Sequence, residues 1–455
     1  MSPACSFYLR PLLAALVSIG AIGWSDAGCQ GQDWSWPQFR GPDGQGHAGV
    51  RDLPLHWSES KNVAWKTPLE GRAWSSPVIE NGIIWVTTAI VITATKEESE
   101  KQQAKRSDRN PIRVASKVDF HAIGVDVNSG KILHNFFLFS KDRPQAIHSL
   151  NSYASPTPII QDKKLYCHFG ANGTCCLDTT NGKLVWLNRE IQVAHENGPG
   201  STPVLWKNLL IAHMDGIDRQ MIAAFNKDTG KVVWQTARSG AMRDNPQYKK
   251  AYATPLIVTV DSKPVIISPA ADWVYAYEPA TGKELWKVTY KDLGFSNVAR
   301  PVTGHGMVFV CTCFGRGKIM ALRLSLNEPE VVWEYNRQTP KMPSPVVLGD
   351  ELFFVSDSGI VTCLEARTAK PRWVERLGGN YSASPLAAGN RVYFFSREGV
   401  ATVVAGGGKF EQLAKNTLDG QFMASPAVIP GALILRTDKA LYRIETAGSK
   451  RGVAP

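Results

Sequence analysis

Aromatic and hydrogen-bonding residues gather in this chain just ahead of a recurring Ser/Thr-Pro pair: Arg72 and Trp74, Asn151 and Tyr153, His195 and Asn197, Tyr252, Asn297, Lys341, Asn380 and Tyr381, Gln421 and Phe422. Drawn around one opening, such groups offer stacking surfaces and oriented donors suited to a polar ligand or a peptide. The competing role is structural, with the same side chains satisfying loop backbone groups and capping a channel. Arg300 stands where the other copies of the pair carry Ser or Thr. A guanidinium fixed there can grip a carboxylate through paired hydrogen bonds, or pair with a neighbouring Asp.

Residues that could do catalysis do not assemble into a set. The nine histidines, at 47, 56, 121, 134, 148, 168, 195, 213 and 305, lack ligand spacing, and no Ser-His-Asp arrangement can be argued. The cysteines at 5, 29, 167, 175, 176, 311, 313 and 363 form neither a haem-attachment motif nor a zinc pattern. Several fall on predicted strands, where burial as small apolar residues accounts for them. Cys175 and Cys176 are adjacent on such a strand, so alternation sends their side chains to opposite faces. No catalytic residue and no metal ligand is assigned.

The elements that must position the pre-proline segments come from an internal repeat. The pairs are Ser76-Pro77, Thr157-Pro158, Thr202-Pro203, Thr254-Pro255, Arg300-Pro301, Ser344-Pro345, Ser384-Pro385 and Ser425-Pro426. Most are trailed by a polar residue, a Gly-Lys turn and an aromatic strand end, as in Asp178-Thr-Thr-Asn-Gly-Lys-Leu-Val-Trp186, with further copies ending at Trp234 and Trp286 and degenerate ones at Trp333 and Trp373; the first copy ends at His134 and the seventh, with Gly408-Lys409, at Leu413. Between these landmarks lie short β-branched or aromatic runs such as Leu352-Phe-Phe-Val355. Four strands per repeat make a propeller blade, with the glycine supplying a positive φ in the hairpin and the Trp covering the next blade. The eighth repeat ends without its Trp strand, and Asn62-Val-Ala-Trp65 ahead of the first pair matches the missing piece. The fold predicted is all-β, an eight-bladed propeller of four-stranded antiparallel blades closed by an N-terminal strand.

The domain boundaries follow. Residues 1–27 read as a signal peptide, with Arg10, a short apolar run and Ser25 and Ala27 at the cleavage positions; 28–61 form an N-terminal extension. The propeller spans 62–445, and 446–455 are a C-terminal tail. The mixed-sign stretch 96–117 is an insertion in the first blade, expected as a solvated loop. Export to the periplasm or cell exterior is expected, with a lipid anchor at Cys29 disfavoured by Asp26, and no later membrane span. A net charge of +11 without basic clustering argues against a nucleic-acid partner. A monomer is expected.

These repeats resemble the quinoprotein-type family, whose fold is shared by pyrroloquinoline-quinone (PQQ) dependent alcohol dehydrogenases and by the propeller lipoprotein that assists outer-membrane β-barrel assembly. The stretch Trp36-Pro-Gln-Phe-Arg-Gly-Pro-Asp-Gly44 is similar to an N-terminal signature of exported bacterial proteins with this propeller. For the dehydrogenases the resemblance implies a quinone between a tryptophan and a disulfide of adjacent cysteines, with calcium and an Asp base. Cys175-Cys176 lies on a strand rather than a cofactor-facing loop, and no motif supplies the calcium ligands. The expectation is therefore a binding or scaffold module for a protein or envelope ligand at the funnel face, without a cofactor. The alternatives are a dehydrogenase of alcohols or sugars using PQQ with calcium, and a polysaccharide-binding surface protein.

Overall fold

Every Ser/Thr-Pro pair, and Arg300-Pro301, leads into the innermost strand of a four-stranded antiparallel sheet, because proline cannot donate to a ladder and fits where a strand begins. The computed structural model describes residue 1, residues 34–106 and residues 110–446. The signal peptide, Cys29 and residues 447–455 of the tail lie outside the described residues. Eight such sheets follow one another along the chain. Blade 1 is built from Val78–Glu80, Ile83–Thr93, Ala115–Asp126 and Ile132–Asp142. Blades 2 to 7 occupy 159–188, 204–237, 256–289, 302–335, 346–376 and 386–417. Blade 8 takes three strands from the C-terminal side, ending at Ala440–Glu445, and its outer strand from Val63–Pro68. Trp65 there sits opposite Arg443, so the ring closes as the sequence predicts.

Neighbouring blades are locked by the repeat's two landmarks. The outer-strand indoles of Trp65, Trp186, Trp234, Trp286, Trp333 and Trp373 each donate to a backbone carbonyl in the turn of the following blade, at 2.8–3.1 Å. Four of the turn glycines, Gly130, Gly182, Gly230 and Gly282, have φ of +70° to +73°. They also make room: a Cβ on Gly230 would lie 2.5 Å from the Trp186 ring. In blade 1 His134 stands where the motif has Trp, and Phe136 covers Gly182 instead.

Two features exceed the repeat. The central strands of blade 1 are 11 and 12 residues long and carry a helix, Lys96–Ala104, between them. The expected solvated loop is thus replaced over these residues by a helix that buries no side chain. Thr95 and Glu98 cap it reciprocally, a start signal that the charge pattern obscured. Residues 107–109 of the insertion lie outside the described residues. The second feature is residues 34–61, which form a strap across the ring. The Trp36 backbone pairs with Ile79 of blade 1, the Pro37 carbonyl accepts from Ile160 of blade 2, and His47–Ala48 add a parallel strand beside Ala387–Ala388 of blade 7. No described helix is long and apolar enough to cross a membrane.

Candidate functional site

The Ser and Thr of the repeated pairs have a shared task. In seven of the eight blade-to-blade steps, the backbone N–H of the pre-proline residue donates to the hydroxyl of the same residue in the next blade. The bonds run Ser76 to Thr157, Thr157 to Thr202, Thr202 to Thr254, Arg300 to Ser344, Ser344 to Ser384, Ser384 to Ser425 and Ser425 back to Ser76, at 2.9–3.2 Å. Only the step from Thr254 to Arg300 lacks one, since Arg300 has no hydroxyl. This belt satisfies donors that proline-started strands leave unpaired and sets the channel's width.

Above the belt opens a cup of about 750 Å³. Its lower ring consists of the residues three before each proline: Trp74, Ser155, Gly200, Tyr252, Val298, Met342, Ser382 and Met423. Strand alternation explains them, because positions one and three before the proline point the same way. The floor is Phe39, the tip of the strap, whose carbonyl accepts from Arg300 Nη1 at 2.8 Å. One wall is an aromatic run: Tyr248 against Phe295 (ring centroids 4.9 Å apart), Phe295 against Phe314 (6.1 Å), and the Lys341 ammonium over Phe314 (5.1 Å). The backbone holds this run in place by pairing Gly294–Phe295 with Phe314–Gly315.

Of the residues singled out in the sequence, Trp74, Asn151, Asn197, Tyr252 and Lys341 line the cup. Asn151 spends its amide on the carbonyls of Asn197 and Pro199, and Tyr252 donates to the His195 carbonyl at 2.6 Å. Arg72 lies 4.5 Å over the Trp74 ring and bonds the Ser149 carbonyl, bracing the rim. The others serve elsewhere. Tyr153 is in the core between blades 1 and 2, Tyr381 in that between blades 6 and 7, and Phe422 packs on Phe395. Asn297 is wholly buried and donates to the Ala270 carbonyl; Asn380 is tied to Glu398, and the Gln421 backbone to Asp438. His195 is buried behind the wall, its Nε2 accepting from the Ala171 N–H. Arg300 neither meets the cup nor pairs with an Asp: it clamps the strap.

Asp357 is the one carboxylate lining the cup among the described residues. Burial raises its pKa, while the backbone N–H groups of Lys341 and Met342 donate to it and pull the other way. Glu196, in the left-handed region at φ +65°, is enclosed by Lys250 (3.1 Å), Arg106 (3.7 Å) and Gln247. Arg106 thereby fastens the blade 1 insertion to the rim. The hydroxyl belt, Phe39 and the aromatic wall all escaped the sequence reading. Counting back by two from each pre-proline residue would have found the lower ring.

The repeat, the closed ring of eight blades and the cup at one mouth define a PQQ-like repeat propeller. Within that class, the family model described as "Outer membrane protein assembly factor BamB" matches residues 52–213 and 218–451, and the chain belongs to this family. It is 24% identical over 246 residues to the BamB of Shewanella oneidensis, a match covering 49% of this chain and 57% of that relative. The chain thus spans little more than half the length of that relative. Among solved structures it is similar to BamB from Moraxella catarrhalis (TM-score 0.51, 13% identity, covering 73% of this chain and 93% of that one). It is also similar to a europium-containing methanol dehydrogenase (TM-score 0.59, 11% identity, 89% and 90% covered). Both likenesses are of fold.

The dehydrogenase likeness raises the question of a quinone and its metal, and the residues present do not fit them. Cys175 is buried in the core between blades 1 and 2 and Cys176 in that between blades 2 and 3, so the two thiols face away from each other. Directly across the strand pair, Cys175 faces Cys167 instead. Among the described residues no three His, Cys, Asp or Glu side chains converge to hold a metal ion.

Proposed function

We propose that this chain is an exported protein-binding scaffold of the outer-membrane assembly kind, whose cup receives an extended segment of a client or partner polypeptide. Family membership supports the broad role. The observation that carries the finer reading is the lining of the cup, where Tyr248, Phe295, Phe314, Met342 and Met423 mingle with the amides of Asn151, Asn197 and Asn245. Aromatic rings anchor buried side chains, thioethers adapt to varied ones, and amides suit the backbone of an extended segment.

A photo-activated cross-linker placed at Met342 in cells tests this. The expected product joins the chain to an outer-membrane assembly component or its client, and Phe295→Ala and Phe314→Ala weaken it severalfold. Cross-linking only from an outer-rim control such as Val233, with none from Met342, overturns the cup as the binding site. Glycan-array binding that depends on Trp74 would favour the polysaccharide alternative. Dye reduction after reconstitution with PQQ and calcium would favour the dehydrogenase. Amino-terminal sequencing of the protein from native envelopes is expected to begin just after Ala27.

A further inference from the structure

Two arginines lie together beneath the cup floor, and among the described residues neither forms an ion pair with an acid; of the carboxylates, only the charge of Asp43 reaches them. Arg40 comes from the strap and Arg300 from the start of blade 5, and both are almost wholly buried, at 2% and 3% exposure. Arg40 Nη2 donates to the carbonyls of Gln45 and Pro345, and Arg300 Nη1 to that of Phe39. Three further guanidinium nitrogens, Arg40 Nε, Arg40 Nη1 and Arg300 Nε, find no protein acceptor. Asp43, the carboxylate whose charge acts on both arginines, is engaged with the Gln45 N–H (2.9 Å) and His47 (3.4 Å). The strap makes space for both heads: a Cβ on Gly44 would collide with the Arg300 guanidinium, and one on Gly46 would lie 2.5 Å from Arg40 Nη2.

We infer that a small inorganic anion of halide size sits against Arg40 and Arg300 and neutralises the pair. Water alone could accept the open N–H groups but would leave two like charges buried together with only the Asp43 charge to offset them, an arrangement that burial penalises strongly. An anion accepts the same donors and cancels charge as well. Both groups remain cations near neutrality. Burial, with the neighbouring Arg300 charge, lowers Arg40 to about 9, and burial lowers Arg300 to about 10. A carboxylate on a larger ligand is excluded by position, since Phe39 and the strap cover the site from the cup.

Chloride and bromide are the probes. At fixed ionic strength, replacing gluconate by about 100 mM chloride should raise the melting temperature of the whole chain by about 2–3 °C, for a millimolar site in a protein of this size. A crystal grown in bromide should show an anomalous peak within hydrogen-bonding distance of both guanidiniums. Arg300→Ser restores the hydroxyl found in the other seven blades and gives Thr254 an acceptor; it should fold and lose the halide response, as should Arg40→Met. Equal melting in chloride and gluconate overturns the inference, as does a halide shift that survives in Arg300→Ser. The bromide map of the unaltered chain decides independently of either variant, and an empty site there also overturns it.

Discussion

Acidification should loosen this propeller on one side, through three imidazoles held neutral near the cup wall. His168, His195 and His213 are buried in blades 2 and 3 and the loop between them. Burial is the main cause of each shift: it takes His168 from 6.5 to about 3, with the neighbouring His195 adding to it, and His195 to about 4. His213 is driven well below 6.5 in the same way, with the Arg238 charge as the next cause. Their folded values lie below their unfolded ones, so between pH 6.5 and 4 the unfolded chain binds more protons. The stability they preserve is complete above pH 6.5 and is lost as the pH falls through that value. His168 and His195 each cost about 2 kcal/mol by pH 5, or about 4 kcal/mol together, at 1.36 kcal/mol per pKa unit, and His213 adds to the loss in the same direction. That is a large part of the 5–15 kcal/mol by which a domain is ordinarily stable. His47, raised by its bond to Asp43, works in the opposite sense, but it is partly exposed and its effect is screened. The raised Asp357 and Asp215 carboxyls oppose part of the loss as they protonate. Urea unfolding at pH 7, 6 and 5 should show the decline, and His195→Gln should reduce its slope by about 1.4 kcal/mol per pH unit. A flat profile from pH 6.5 to 5, or an unchanged slope in His195→Gln, would refute the reasoning.

Two further outcomes concern the scaffold. Trp186→Ala removes an indole that packs on Gly230 and bonds the Lys227 carbonyl, and should lower unfolding free energy by about 3–4 kcal/mol in guanidinium titrations. Thr202→Val strands the Thr157 N–H in the belt and should cost about 1–3 kcal/mol, whereas Thr202→Ser, which keeps the hydroxyl, should be nearly silent by the same titration.

What could be read in advance divides along physical lines. Blade number, the closing strand and the packing Trp were legible because each is a local pattern copied many times, and copies average out the ambiguity of any one. The cup was legible only in part. Trp74 and Tyr252 lie three residues before their prolines and face inward, whereas Tyr381 and Phe422 lie four before and face the blade core. A one-residue offset reverses a strand side chain, and aromatic character alone does not reveal it. Phe39 and the Phe295–Phe314 wall belong to no repeat, since they depend on where the strap and inter-blade loops arrive in space. Arg300 was conspicuous as an exception, but its partner is a backbone carbonyl 261 residues away, which no spacing rule foretells.

The strand that closes the ring imposes an order in time. Val63–Pro68 leaves the ribosome before all but the strap among the described elements, yet its partner Ala440–Glu445 is the last of the described strands to be made. Until then the first segment has nothing to pair with, and blade 1 presents a bare flank. Joining them means closing a loop of almost the whole chain, a slow step whose entropy is recovered only once contacts form. A half-synthesised copy is therefore an open arc with two sticky ends, and a nascent chain of this design needs shielding until its end catches up with its beginning.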